Sequence, residues 1–201
     1  MIILTSNGLS SEKLLNETQK YISQNMKAAV VTTASVGYKE KDWHVPRLIS
    51  ELQQIRLTAT CFDFEFENPQ LLSQYDVVEI IGGNPFYLLN QLRLRNAKNI
   101  FSEIARHKTL IGISAGSVVL QKNIDLIAQY TPEMNKDIQL KDLTGLALTN
   151  IEILPHYQRF ISRFDRFEER AKEYEQSNNC SVIRLNDGEG IFISDTTSYK
   201  I

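Results

Sequence analysis

"TLIGISAGSVVL", running from Thr109 to Leu120, decides the fold. An apolar, strand-like run stops at a serine fenced by glycines, and a second apolar stretch begins at once. Gly112-Ile113-Ser114-Ala115-Gly116 fits the G-x-S-x-G elbow, a sharp strand-to-helix turn that projects the serine hydroxyl while small neighbours make room for a strained backbone. The helix that follows aims its N-terminal amides and positive dipole end at the same spot, where an oxyanion can be held.

Outward from this elbow, short apolar runs alternate with amphipathic ones. "MIILTS", "AAVVTT", "LTATCFDF", "DVVEIIGG", "TLIGIS", "NIEILPH", "SVIRLND" and "GIFISD" read as strands, and residues 11–25, 43–55, 86–107, 115–121 and 159–176 as helices. This alternation predicts a doubly wound α/β fold: a mostly parallel sheet with helices on both faces. The last two of these strands, joined by a turn, are expected to form a C-terminal β-hairpin. No repeat, low-complexity tract or Pro/Gly/Ser-rich linker interrupts the chain, so residues 1–201 are read as one α/β domain.

The composition bounds the partners. The chain of 201 residues is 42% hydrophobic and 23% charged, with a net charge of -2, an ordinary globular balance that gives no electrostatic reason to expect nucleic acid or an anionic membrane. No run approaches the roughly 18 apolar residues of a membrane helix, and the opening "MIILTSNGLSSEKLL" has no cationic leader. Cys61 and Cys180 lack metal-ligand spacing and read as packing thiols, so a reducing cytoplasm is expected. A homodimer stays open.

In a sheet of this kind ligands bind outside the carboxyl ends of the strands. Four loops therefore matter: Ser114 after "LIGI", Gly82-Gly83-Asn84-Pro85 after "VVEII", Pro155-His156-Tyr157 after "IEIL", and Asn186-Asp187-Gly188 after "VIRL". A serine nucleophile needs a base. Of three histidines, His107 sits between Arg106 and Lys108 near a helix end and His44 at a helix start, whereas His156 directly follows an apolar strand. In "IIGGNPF" the Gly83 amide is a candidate oxyanion donor beside that of Ala115. Asn84 and Pro85 equally suit a helix cap and first turn.

The segments "VVEIIGGNPFYLLNQL", "LIGISAGSVVL", "ILPHY" and "VIRLNDGEGIFI", in that order from Val77 to Ile193, resemble peptidase family S51, the peptidase E and cyanophycinase group, whose fold is like that of class I glutamine amidotransferases. The resemblance implies a cytoplasmic serine peptidase without metal or organic cofactor, acting on small peptides. Ser114 would be its nucleophile, His156 its base, and the Gly83 and Ala115 amides its oxyanion hole. The family's acidic residue maps onto Asp187, with Glu189 as substitute if the register differs by two, and Asp-Gly here is also a hairpin-turn signal. The order serine, histidine, acid disfavours the α/β-hydrolases, in which the acid precedes the histidine.

Substrate reading is less determined. Arg159, Arg163, Arg166 and Arg170 form one stripe at helical spacing beside Phe160, Phe164, Phe167, Ala171 and Tyr174. The stripe is either a solvated face relieved by Glu168, Glu169 and Glu173, or a reader of substrate carboxylate through Arg163 or Arg166. Phe167 falls where aspartyl-dipeptidase relatives are expected to place an arginine, so the resemblance does not carry N-terminal aspartate specificity across. Asn84 joins Arg163 and Arg166 as a candidate substrate contact. This reading, a peptidase with dipeptides among its candidate substrates, has as alternatives an esterase or isopeptide hydrolase on the same site, or a non-catalytic ligand-binding member of the fold.

Overall fold

Runs too short and too uniformly apolar to be amphipathic become strands buried on both faces. In the computed structural model, which describes residues 1–23 and 25–201, β1 (Ile2–Thr5), β2 (Lys27–Val31), β3 (Thr58–Phe62), β4 (Val77–Ile80) and β5 (Thr109–Ile113) are parallel, in the order β3-β2-β4-β5-β1. Every residue of β1, β4 and β5 is buried. Amphipathic helices supply the cover: α1 (Glu12–Gln19), α2 (Val45–Gln54), α3 (Pro85–Leu94) and α4 (Lys98–His107). On α2 the buried set is Val45, Leu48, Glu51 and Leu52, a helical stripe, and Pro46 stands in the first turn, where its missing N–H costs nothing.

After the elbow come α5 (Ala115–Val118), α6 (Asp125–Tyr130), β6 (Glu152–Leu154), α7 (Tyr157–Phe160), α8 (Phe167–Asn178) and β7 (Val182–Arg184). β6 and β7 pair in parallel as a separate two-stranded ribbon, with Leu154 opposite Arg184. This register continues past the strand ends, where the Tyr157 amide donates to the Leu185 carbonyl at 3.0 Å. Parallel pairing thus brings the loops carrying His156 and Asp187 to the same end. Leu126, Tyr130, Leu154, Phe167, Ala171, Tyr174 and Val182 form a second apolar cluster around the ribbon, distinct from the main core under the large sheet.

The C-terminal hairpin is present, but its strands are β8 (Gly190–Ile193) and β9 (Ser198–Lys200) rather than "SVIRLND" and "GIFISD". β8 runs antiparallel to β1 and so covers that strand's open edge, burying Ile191 and Phe192. The single helix expected over 86–107 is two helices, because Asn96 adopts φ 51° between α3 and α4. The helix expected over 159–176 is also broken, at residues 161–166, where Arg166 has φ 48°.

Candidate active site

At the end of β5 the backbone turns through Ser114 at φ 49° and ψ -111°. A non-glycine residue there costs roughly 1–3 kcal/mol and persists only when the surroundings hold it. They do: the Ser114 amide donates to the Thr5 carbonyl at 3.0 Å, and the buried Ser117 hydroxyl donates to that same carbonyl at 2.9 Å while accepting from the Thr5 amide at 3.0 Å. Both elbow glycines answer to close packing. A Cβ on Gly116 would lie 2.1 Å from the Ile80 carbonyl oxygen, and one on Gly112 2.6 Å from the Ser117 Cα.

The four loops converge. Ser114 Oγ lies 3.0 Å from His156 Nε2, and His156 Nδ1 lies 2.6 Å from Asp187 Oδ1. An ionised carboxylate only accepts, so Nδ1 carries the proton and the Nε2 lone pair faces the serine hydroxyl. Ser6, fully buried, closes the network by donating to Asp187 Oδ1 at 2.8 Å and accepting the His156 backbone amide at 2.8 Å. The Phe160 ring meets the imidazole edge to face, with 5.2 Å between centroids. Burial lowers the His156 pKa below the ordinary 6.5, although Asp187 pulls the other way. Burial alone would raise Asp187, yet Ser6, His156 and Arg159 outweigh it and hold the carboxylate below its ordinary range. Glu189 is turned elsewhere, accepting from the Asn186 amide at 2.7 Å and pairing with Lys200 at 2.8 Å.

Gly83 sits at φ 143°, and a Cβ there would come within 2.3 Å of the Ala34 carbonyl oxygen. Neither its amide nor that of Ala115 is taken by another group among the described residues. Asn84 serves as a helix cap: its Oδ1 accepts from the Phe86 and Tyr87 amides at 3.0 Å each, and its Nδ2 donates to the Met134 carbonyl at 2.8 Å.

Two cavities meet at Ser114. One, of about 290 Å³, is an aromatic cleft formed by Tyr130, Phe160, Phe164 and Phe167 with Val118, Ile127 and Met134, and Arg163 also lines it. The other, of about 150 Å³, is more polar than the cleft, with Asn7, Asp42, His44, Arg47 and Arg159 on its wall beside Leu48, Ile81 and Ile113. Arg166 lines neither; it is exposed and bound to Glu169 at 2.6 Å and Glu173 at 2.5 Å. His44 stands nearer the serine than its place at the start of α2 suggested, paired with Asp42 at 2.9 Å, while His107 is exposed beside Glu103. Ser6 went unread in the sequence. Applying the strand-end rule to β1 as well as to the later strands would have flagged it.

A strained serine in line with a buried imidazole and a carboxylate, on the carboxyl edge of a mostly parallel sheet, is the arrangement of a serine-type hydrolase. Comparison with known proteins narrows the class. The chain belongs to peptidase family S51, whose sequence profile matches residues 2–201, and it is a serine-type peptidase. It is 27% identical over 197 residues to an uncharacterized peptidase of Listeria monocytogenes, covering 96% of this chain and 93% of that one. Against an uncharacterized peptidase of Listeria innocua it is 40% identical over 161 residues, 78% and 76% of the two chains. Peptidase E of Shewanella sp. strain ANA-3 is 25% identical over 132 residues, 65% of this chain and 54% of the other. Among solved structures, a Listeria monocytogenes EGD-e protein assigned to peptidase E superposes with TM-score 0.77 at 25% identity, over 100% of this chain and 96% of that one. A peptidase from an acI-B1 actinobacterium shares the fold with TM-score 0.71 at 16% identity, over 100% and 86%.

Proposed function

We propose that this peptidase hydrolyses short peptides through an acyl-enzyme, with Ser114 as nucleophile, His156 as base and Asp187 as the acid that steadies the imidazolium. The observation that carries the reading is the continuous line of contacts from Ser114 Oγ through both ring nitrogens of His156 to Asp187 Oδ1, at 3.0 and 2.6 Å. His156 Nε2 takes the hydroxyl proton as Ser114 Oγ bonds to the scissile carbonyl carbon. The free Gly83 and Ala115 amides hold the oxyanion. Collapse breaks the C–N bond and the imidazolium protonates the departing amine. Water then attacks the ester with His156 again as base, releasing the acid and restoring the serine.

Cavities of about 290 and 150 Å³ flanking the serine suit substrates of two or three residues. Ser6, Ser114, His156 and Asp187 come from both ends of the chain, which supports one catalytic domain spanning it. The free thiols of Cys61 and Cys180 fit a reducing compartment such as the cytoplasm, and among the described residues no helix is long and apolar enough to cross a membrane.

A fluorophosphonate probe tests the assignment. Ser114 is expected to be labelled, and Ser114→Ala to abolish labelling with the thermal melt unchanged. Labelling at another serine, retained in Ser114→Ala, overturns the proposal.

A further inference from the structure

The aromatic cleft is the larger of the two cavities that meet at Ser114, and its chemistry identifies what enters it. Resting on the reading of Ser114 as nucleophile, we propose that the cleft seats a large apolar side chain, aromatic by preference, on the acyl side of the scissile bond, and disfavours an acidic one. Its wall is a packed set of rings: Phe160 and Phe164 meet edge to face at 5.2 Å, Phe164 and Phe167 stack at 6.0 Å, and Tyr130 touches Phe164 at 5.7 Å. Rings fixed by one another give a surface already shaped for apolar contact, and at about 290 Å³ the space suits one bulky side chain.

Charge argues the same way. Among the residues lining the cleft only Arg163 and Glu133 are charged, one of each sign. The Arg163 guanidinium lies over the faces of Phe160 and Phe164, 5.6 Å from each centroid, and has no carboxylate partner among the described residues. A carboxylate entering the cleft would lose its water among apolar rings, and the one cation on the wall is already engaged over two of those rings. Arg166, the other cation that could have read an acid, is held by Glu169 and Glu173 outside the cleft.

The side of the bond follows from which element forms the wall. Ala115 and Val118, on the nucleophile's own helix, line the cleft, whereas the polar hollow takes no residue from α5. In the acyl-enzyme the acyl carbon is bonded to Ser114 Oγ with its oxygen on the Ala115 amide, so the neighbouring side chain projects along α5 into the cleft. The amine leaves past His156 and over the hollow, where Arg47 and Arg159 suit a chain terminus.

The dipeptides Phe-Ala, Leu-Ala, Ala-Ala and Asp-Ala measure the preference. We expect kcat/KM for Phe-Ala and Leu-Ala at least tenfold above Ala-Ala and a hundredfold above Asp-Ala. In Met134→Trp, which fills the cleft from its half-exposed rim, the Phe-Ala to Ala-Ala ratio falls at least tenfold. Being a ratio, it does not depend on how much of the variant folds. Asp-Ala cleaved as well as Phe-Ala, or a ratio unmoved by Met134→Trp, overturns the inference. If Ser114 takes the fluorophosphonate and Ala-Ala is cleaved but no apolar preference exists, this inference alone falls. If Ser114 is unlabelled and no dipeptide is cleaved, the underlying reading falls with it.

Discussion

Asp187 keeps a third of its side chain open to solvent, yet its Oδ1 faces His156 at 2.6 Å and Ser6 at 2.8 Å. Asp187→Asn preserves the turn, because asparagine suits the same backbone, but it can set an amide donor against the Nδ1 proton and favours the wrong tautomer. Turnover is expected to fall by about 10⁴ with the melting temperature nearly unchanged. Retained turnover, or a loss confined to Glu189→Gln, would remove Asp187 from the chemistry. The pH dependence follows from His156. Attack needs the neutral ring, and burial holds its pKa below 6.5, so reactivity is lost on acidification with a midpoint below that value. The rate of fluorophosphonate labelling against pH reports this without a substrate amine that titrates. A midpoint above 6.5 would mean that Asp187 outweighs burial.

At the scale of elements, one strand places each of Ser114, His156 and Asp187 and a turn at its end aims it. The strand ends were legible because each is an apolar run closed by polar or glycine residues, as in "LIGISAG" and "ILPH". Pairing was not, because "SVIRL" carries no mark that it joins β6 in parallel rather than folding back on β8. The unbroken helix expected over 159–176 failed for a related reason. Periodicity continues through Phe160, Phe164 and Phe167 although the backbone does not, so three phenylalanines keep a common side while Arg163 and Arg166 part. Arg166→Ala is therefore expected to leave the ratio of kcat/KM for acidic and neutral dipeptides within twofold of the parent; a selective loss for acidic ones would restore it as a substrate contact. Ser6 was missed because a lone serine after a strand is common and its meaning lies in partners 150 and 181 positions away. Ser6→Ala removes a buried acceptor and donor. It should lower kcat by about tenfold to a hundredfold with KM little moved, since the ring loses its brace but no substrate contact is removed. An equal rise in KM would point to a collapsed site instead.

The whole molecule carries one cost that the site does not explain. Glu79 lies in the middle of β4, fully buried, and neither carboxyl oxygen has a partner among the described residues. Burial pushes its pKa up to about 8, reinforced by Glu51, itself raised by burial, and opposed by Arg47. The consequence is a stability that depends on pH in a defined direction. The unfolded chain releases this proton near the ordinary 4.5, whereas the folded chain keeps it until about 8. Between those values the folded state binds more protons, so stability falls as pH rises and levels off above about 8. Replacing the group with an apolar one of similar size leaves no polar atom orphaned, because Glu51 retains Arg47 and the Leu9 amide. Glu79→Leu is thus expected to melt higher than the parent at pH 8 by an amount worth a few kcal/mol, a gain that shrinks as the pH is lowered toward 4.5. Urea unfolding of both proteins at pH 5, 6.5 and 8 measures it. Parallel stability curves would show that Glu79 is ionised and paired in the folded protein, or that the strand opens to water around it. Convergence at low pH would instead identify a neutral carboxyl group, kept inside the sheet within the field of Glu51 and Arg47 at a cost that grows from about pH 4.5 to about 8.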